Sequence, residues 1–111
     1  MSFIHEPLGS GDVICLKGRI VMANAAELRE KIRIILTRGS GKMLLDLSGV
    51  EFMDSSGLSV LISAHEMASE RNGFVMLSSP EPKIKALIEL TRLHEMFEIF
   101  DDRDAACERL N

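Results

Sequence analysis

Lys42-Met43-Leu44-Leu45-Asp46-Leu47-Ser48-Gly49-Val50-Glu51-Phe52-Met53-Asp54-Ser55-Ser56-Gly57-Leu58 is the stretch from which the fold can be read. Lys42 to Leu47 is a short, nearly continuous apolar run bounded by Gly41 and by Ser48-Gly49, the pattern of a central strand covered on both faces. Asp54-Ser55-Ser56-Gly57 then opens a helix, with Leu58, Leu61, Ile62, His65 and Ala68 spaced along one side. An Asp followed by two Ser satisfies the free N–H groups of a first helical turn, and Gly57 allows a tight entry. Taken alone, the junction is a well-capped helix leaving a buried strand.

The same grammar runs outward in both directions. Toward the N-terminus, Gly9-Ser10-Gly11-Asp12 is a turn between two short strands, the second being Val13-Ile14-Cys15-Leu16, so residues 3–17 read as a hairpin. Asn24 precedes Glu27 at cap spacing, and Leu28, Ile32, Ile35 and Leu36 follow on one face. These predict a helix from about Ala25 to Thr37, ended by Gly39. Toward the C-terminus, Asn72-Gly73 stops the second helix and Phe74 to Leu77 gives a strand. Pro80 and Pro82 announce a third helix carrying Ile84, Leu87 and Ile88. A last strand lies around Met96 to Phe100, with a short helix after Asp101-Asp102. Strands alternating with helices predict an α/β domain with right-handed parallel crossovers, made mixed by the initial hairpin.

With 111 residues the chain has room for one compact domain. Hydrophobic residues at 46% and charged residues at 27% place it among globular proteins. No apolar run reaches the roughly 18 residues that span a bilayer, and the start lacks the basic-then-apolar pattern of a secretion signal, so a cytoplasmic address is expected. The net charge of −4 comes without a Lys/Arg cluster, and there is no Trp or Tyr to stack on bases, which argues against nucleic acid. The five Phe read as core. Cys15 and Cys107 have no CxxC partner and no metal-ligand spacing to a histidine, and are expected as reduced thiols with Cys15 in the core.

Motifs of catalysis fail on spacing. Arg38-Gly39-Ser40-Gly41-Lys42 runs from helix to strand and has Met43 where a phosphate loop needs Ser or Thr, so it is a turn. Ser55 has Gly57 after it but Met53 before it, and so lacks the strained elbow of a hydrolase. His65 lies about 15 Å along the helix from Ser55, beyond the reach of a general base, and reads as a packed histidine. His5, His65 and His94 form no metal-ligand pattern, and neither a metal nor another cofactor is expected.

Phe52-Met53-Asp54-Ser55-Ser56-Gly57-Leu58, following a strand rich in aliphatics and Asp, closely resembles the signature of STAS-domain anti-sigma factor antagonists. Leu16-Lys17-Gly18-Arg19-Ile20 is similar to the family's first loop entry and Asn24-Ala25-Ala26-Glu27-Leu28 to its first helix. Ser79 through Leu93 resembles the segment before the last strand. Where family members usually carry an Asp after the Gly-x-[LI] of that loop, this chain has Val21, followed by Met22 and Ala23. The resemblance implies one STAS domain over residues 1–111: a mixed four- to five-stranded sheet packed with about four helices.

In function the resemblance implies a phosphorylation-controlled binding switch and not an enzyme. The unmodified protein would bind an anti-sigma factor that is also its ATP-dependent serine kinase, and so release the sigma factor. Ser55, the serine directly after Asp54, would take the phosphate, and a PP2C-type phosphatase would remove it. Capping logic alone does not choose between Ser55 and Ser56. Asp54, Ser55, Ser56, Gly57 and Leu58, with Val21 and Met22 from the neighbouring loop, would form the partner surface. The alternative within the same fold is an accessory subunit of an ABC lipid transporter or a stressosome-like scaffold.

Overall fold

The computed structural model describes all residues from Met1 to Asn111. Its strands are β1 (Ser2–Leu8), β2 (Gly11–Ile20), β3 (Lys42–Met53), β4 (Phe74–Ser78) and β5 (Glu98–Phe100). Its helices are α1 (Met22–Arg38), α2 (Ser55–Ser69), α3 (Pro82–Leu90) and α4 (Arg103–Cys107). The five strands form one sheet in the order β1-β2-β3-β4-β5. β1 and β2 pair antiparallel and every later neighbour is parallel. The mixed α/β architecture expected from the sequence is therefore the one observed, with β3 at its centre.

Alternation along the strands divides the core in two. Ile14, Leu16, Met43, Leu45, Leu47, Val75 and Leu77 point to one face, where they pack with Leu28, Ile32 and Leu36 of α1, Val60, Leu61, Ala64 and Ala68 of α2, and Ile84 and Ile88 of α3. Val13, Leu44 and Met76 point to the other face, where they pack with Ala106 and Leu110 of the C-terminal segment and with the partly buried Leu8, Cys15, Phe74, Phe100 and Cys107. That cover is tied down by Ser10, whose N–H and hydroxyl both donate to the Leu110 carbonyl, the hydroxyl at 2.7 Å.

β3 does not end at Ser48-Gly49 as the sequence suggested. It continues to Met53 by taking in two extra residues against β2: Cys15 pairs with Asp46 but Lys17 with Gly49, and Gly18 pairs with Val50 but Arg19 with Phe52. Each extra residue is a bulge that shifts the side-chain alternation, so Leu47, Val50 and Met53 all reach the main core while Glu51 and Phe52 are exposed. Gly49 permits this, because a Cβ there would stand 2.5 Å from the Lys17 side chain. The bulges deliver Asp54 to the end of the sheet, beside the exit of β2.

Three further expectations are corrected. Cys15 is half-buried and packs against the smaller cluster, not in the main core. Of the five Phe only Phe97 is buried, and Phe52 is 41% exposed under the Arg19 guanidinium, 4.4 Å from its ring centre. The inner face of α2 is Gly57, Val60, Leu61, Ala64 and Ala68, while Leu58, Ile62 and His65 lie half-buried at its margin. His65 does pack as expected, edge-on to Phe97 at 5.6 Å.

Candidate functional site

The strand–helix junction after β3 is built around one carboxylate. Asp54 is the N-cap of α2 in extended conformation, and its Oδ1 accepts the N–H groups of Ser56 at 2.8 Å and Gly57 at 3.3 Å. This is the bond pattern for which Asp is favoured at a helix start, with the negative charge at the positive end of the helix. Its Oδ2 accepts the N–H of Met22 at 3.2 Å. A backbone bond from Asp54 N–H to the Ile20 carbonyl, 3.2 Å, closes the same corner.

Ser55 is the first residue of α2 and is exposed; its carbonyl accepts the hydroxyl of Ser59 at 3.0 Å. Ser56 is half-buried and Gly57 buried. Leu58, expected at the surface that meets a partner, is half-buried against the main cluster. On the facing loop Val21 is half-buried and Met22 is 78% exposed. All seven residues named from the sequence thus fall on one corner of the domain, at the C-terminal ends of β2 and β3.

Sequence reasoning missed how α1 starts. The helix begins at Met22, a turn before the predicted Ala25, with Val21 as N-cap. Asn24 acts from inside the first turn: its Oδ1 accepts the Val21 N–H at 3.0 Å and its Nδ2 donates to the Arg19 carbonyl at 2.9 Å. The signal available was Asn24 itself, whose amide both accepts and donates. An apolar N-cap hid it.

No cluster of three His, Cys, Asp or Glu side chains forms a metal set. The largest surface cavity, a groove of about 640 Å³, is lined by Lys85, Glu89, His94, Phe97, Ile99 and Asp101 and includes no residue of the Asp54–Ser55 corner. No helix is long and apolar enough to cross a membrane. The corner brings together the exposed Ser55, the Asp54 carboxylate and the exposed Met22.

Comparison with known proteins identifies the family. The STAS domain family model matches residues 9–106. A protein of Thermotoga maritima ascribed to the anti-sigma factor antagonists is 35% identical over 75 residues, 68% of this chain and 66% of that one. The anti-sigma-B factor antagonist of Bacillus subtilis is 27% identical over 84 residues, 76% of each chain. Among solved structures, an anti-sigma factor antagonist from Mycobacterium paratuberculosis superposes with a TM-score of 0.88 at 26% identity, covering 98% of this chain and 92% of its own.

Proposed function

The chain belongs to the STAS domain family, and on that premise we propose that it is an anti-sigma factor antagonist switched by phosphorylation of Ser55. The observation that carries the reading is the exposed Ser55 at the first position of α2, next to the capping Asp54 and across from the exposed Met22. Ser56 fits the role less well, being half-buried with its N–H committed to Asp54. Antagonists of this kind act as regulatory binding proteins, so the chemistry resides in the partners.

The unmodified corner is the binding state: a serine kinase that is also the anti-sigma factor docks on it and lets go of its sigma factor. In the off-step the Ser55 Oγ forms a bond to the γ-phosphorus of ATP, the bond to ADP breaks, and the hydroxyl proton passes to the kinase's base. The phosphate adds about −1.5 to −2 charge directly beside the Asp54 carboxylate. α2's N-terminus tolerates that charge through its dipole, so the fold survives while the surface becomes repulsive and larger. Hydrolysis by a PP2C-type phosphatase restores the starting state.

The test is incubation of the full chain with an anti-sigma serine kinase and ATP, read by intact mass and phosphopeptide mapping. One phosphoryl group on Ser55 is expected, with loss of the kinase from the complex. Label on Ser56 instead, or a modified chain that binds the kinase as tightly as before, would overturn the switch.

A further inference from the structure

α1 begins on a residue that cannot cap it. Val21 offers no side-chain acceptor, and apolar residues are the poorest N-caps. Its own N–H is taken by Asn24, but the next free N–H, that of Met22, is met only from outside the helix, by Asp54. The two oxygens of that carboxylate are divided between two helices: Oδ1 serves Ser56 and Gly57 in α2, and Oδ2 serves Met22 in α1.

We infer that Asp54 is a positioning residue that caps both helices at once and so fixes the Val21–Met22–Ala23 rim against the start of α2. A carboxylate suits this role because it has two acceptor atoms and no donor, whereas an amide has one of each. A side-chain acceptor at position 21 would reach the N–H groups of Ala23 or Asn24, one and two residues further on, so the Met22 N–H depends on the carboxylate next door. The consequence for binding rests on the partner surface proposed above; the double cap itself does not. With Met22 78% exposed, only its main chain is held, and the Asp54 bond is what gives that side chain a fixed origin beside Ser55.

The deciding variant is Asp54→Asn. Its single oxygen keeps α2 capped, since Asn and Asp are equal there, and its amide then points a donor at the Met22 N–H. Amide hydrogen exchange on the full chain should rise about tenfold at Met22, the worth of one bond to a charged acceptor, with Ser56 and Gly57 nearly unchanged. Adding Val21→Asp supplies an acceptor for the N–H groups of Ala23 and Asn24, so protection should rise there while Met22 stays unprotected. Equal rises at both helices, or none at Met22, would overturn the double cap. A second measurement separates the two claims: Asp54→Asn should bind the kinase about tenfold more weakly than the parent. If the parent does not bind the kinase, the proposed function fails while the exchange pattern still decides the cap. If the variant binds as tightly as the parent, the rim's order plays no part in recognition and that half of the inference is wrong.

Discussion

Gly57 lies so close to Met53 that a Cβ added to it would stand 2.3 Å from the Met53 Cγ, and 3.1 Å from the Ile20 carbonyl oxygen. The start of α2 is therefore seated directly on the ends of β2 and β3. Met53 is buried and the Ile20 carbonyl is held by the Asp54 N–H, so neither neighbour gives way freely. Gly57→Ala should destabilise the domain by about 1–3 kcal/mol through overpacking, although Ala is the better helix former. Urea unfolding measures it, and a gain in stability would show that Met53 moves aside at no cost.

Leu47 and Leu58 should respond differently to truncation. Leu47 is fully buried in the main cluster, and Leu47→Ala should cost about 2–5 kcal/mol. Leu58 is half-buried, so Leu58→Ala removes less area from the core and should cost clearly less. A thermal melt comparing the two separates a packing residue from one shared between core and surface. Equal losses would place Leu58 deeper than its exposure implies.

Most of this fold was legible because its signals are local. The apolar run from Lys42 marked where β3 begins, Pro82 marked the first position of α3, and the Asn72-Gly73 stop lies just past the end of α2 at Ser69. What escaped were features made by two distant segments. The bulges that carry β3 on to Met53 set Gly49 closely against Lys17, and the early α1 start has its Met22 N–H met by Asp54. Phe52 reads as core by residue type with the other Phe, and the second bulge turns it outward beneath Arg19. The seven residues of the corner were found through a family resemblance, whereas the bonds that join them appear only in three dimensions.

On the opposite face, Cys15 should behave as a protected thiol. Burial, and then the carboxylate of Asp46, push its pKa above the ordinary 9.0, against a lowering by Arg103, whose Nη1 lies 3.4 Å from the sulfur. A group with a raised folded pKa contributes stability that is full below the unfolded pKa and is lost as pH rises through the folded one. Relative to Cys15→Ala, the parent should thus lose stability above about pH 9 and be pH-independent below it. Urea midpoints at neutral and alkaline pH test this, and a difference between the two proteins that stays constant across that range would show that the thiol is not perturbed.

Under the proposed switch, the effect of charge turns on Ser55 standing at the start of α2 beside the Asp54 carboxylate. Ser55→Asp should fold normally, since an acid in the first turn of a helix is favourable by about 0.3–1 kcal/mol. Binding to an anti-sigma kinase should nevertheless fall, because the new carboxylate adds to Asp54 on the proposed partner face. It brings only one unit of charge and less bulk than a phosphate, so the defect should be partial, and screening should shrink it as ionic strength rises. Ser55→Ala keeps the surface neutral and should bind like the parent while losing the off-step. Isothermal titration of both variants at two salt concentrations distinguishes these outcomes. If Ser55→Asp melts and binds as the parent does, negative charge at α2's start leaves the interface untouched, and the phosphate must act by bulk or the modification must lie elsewhere.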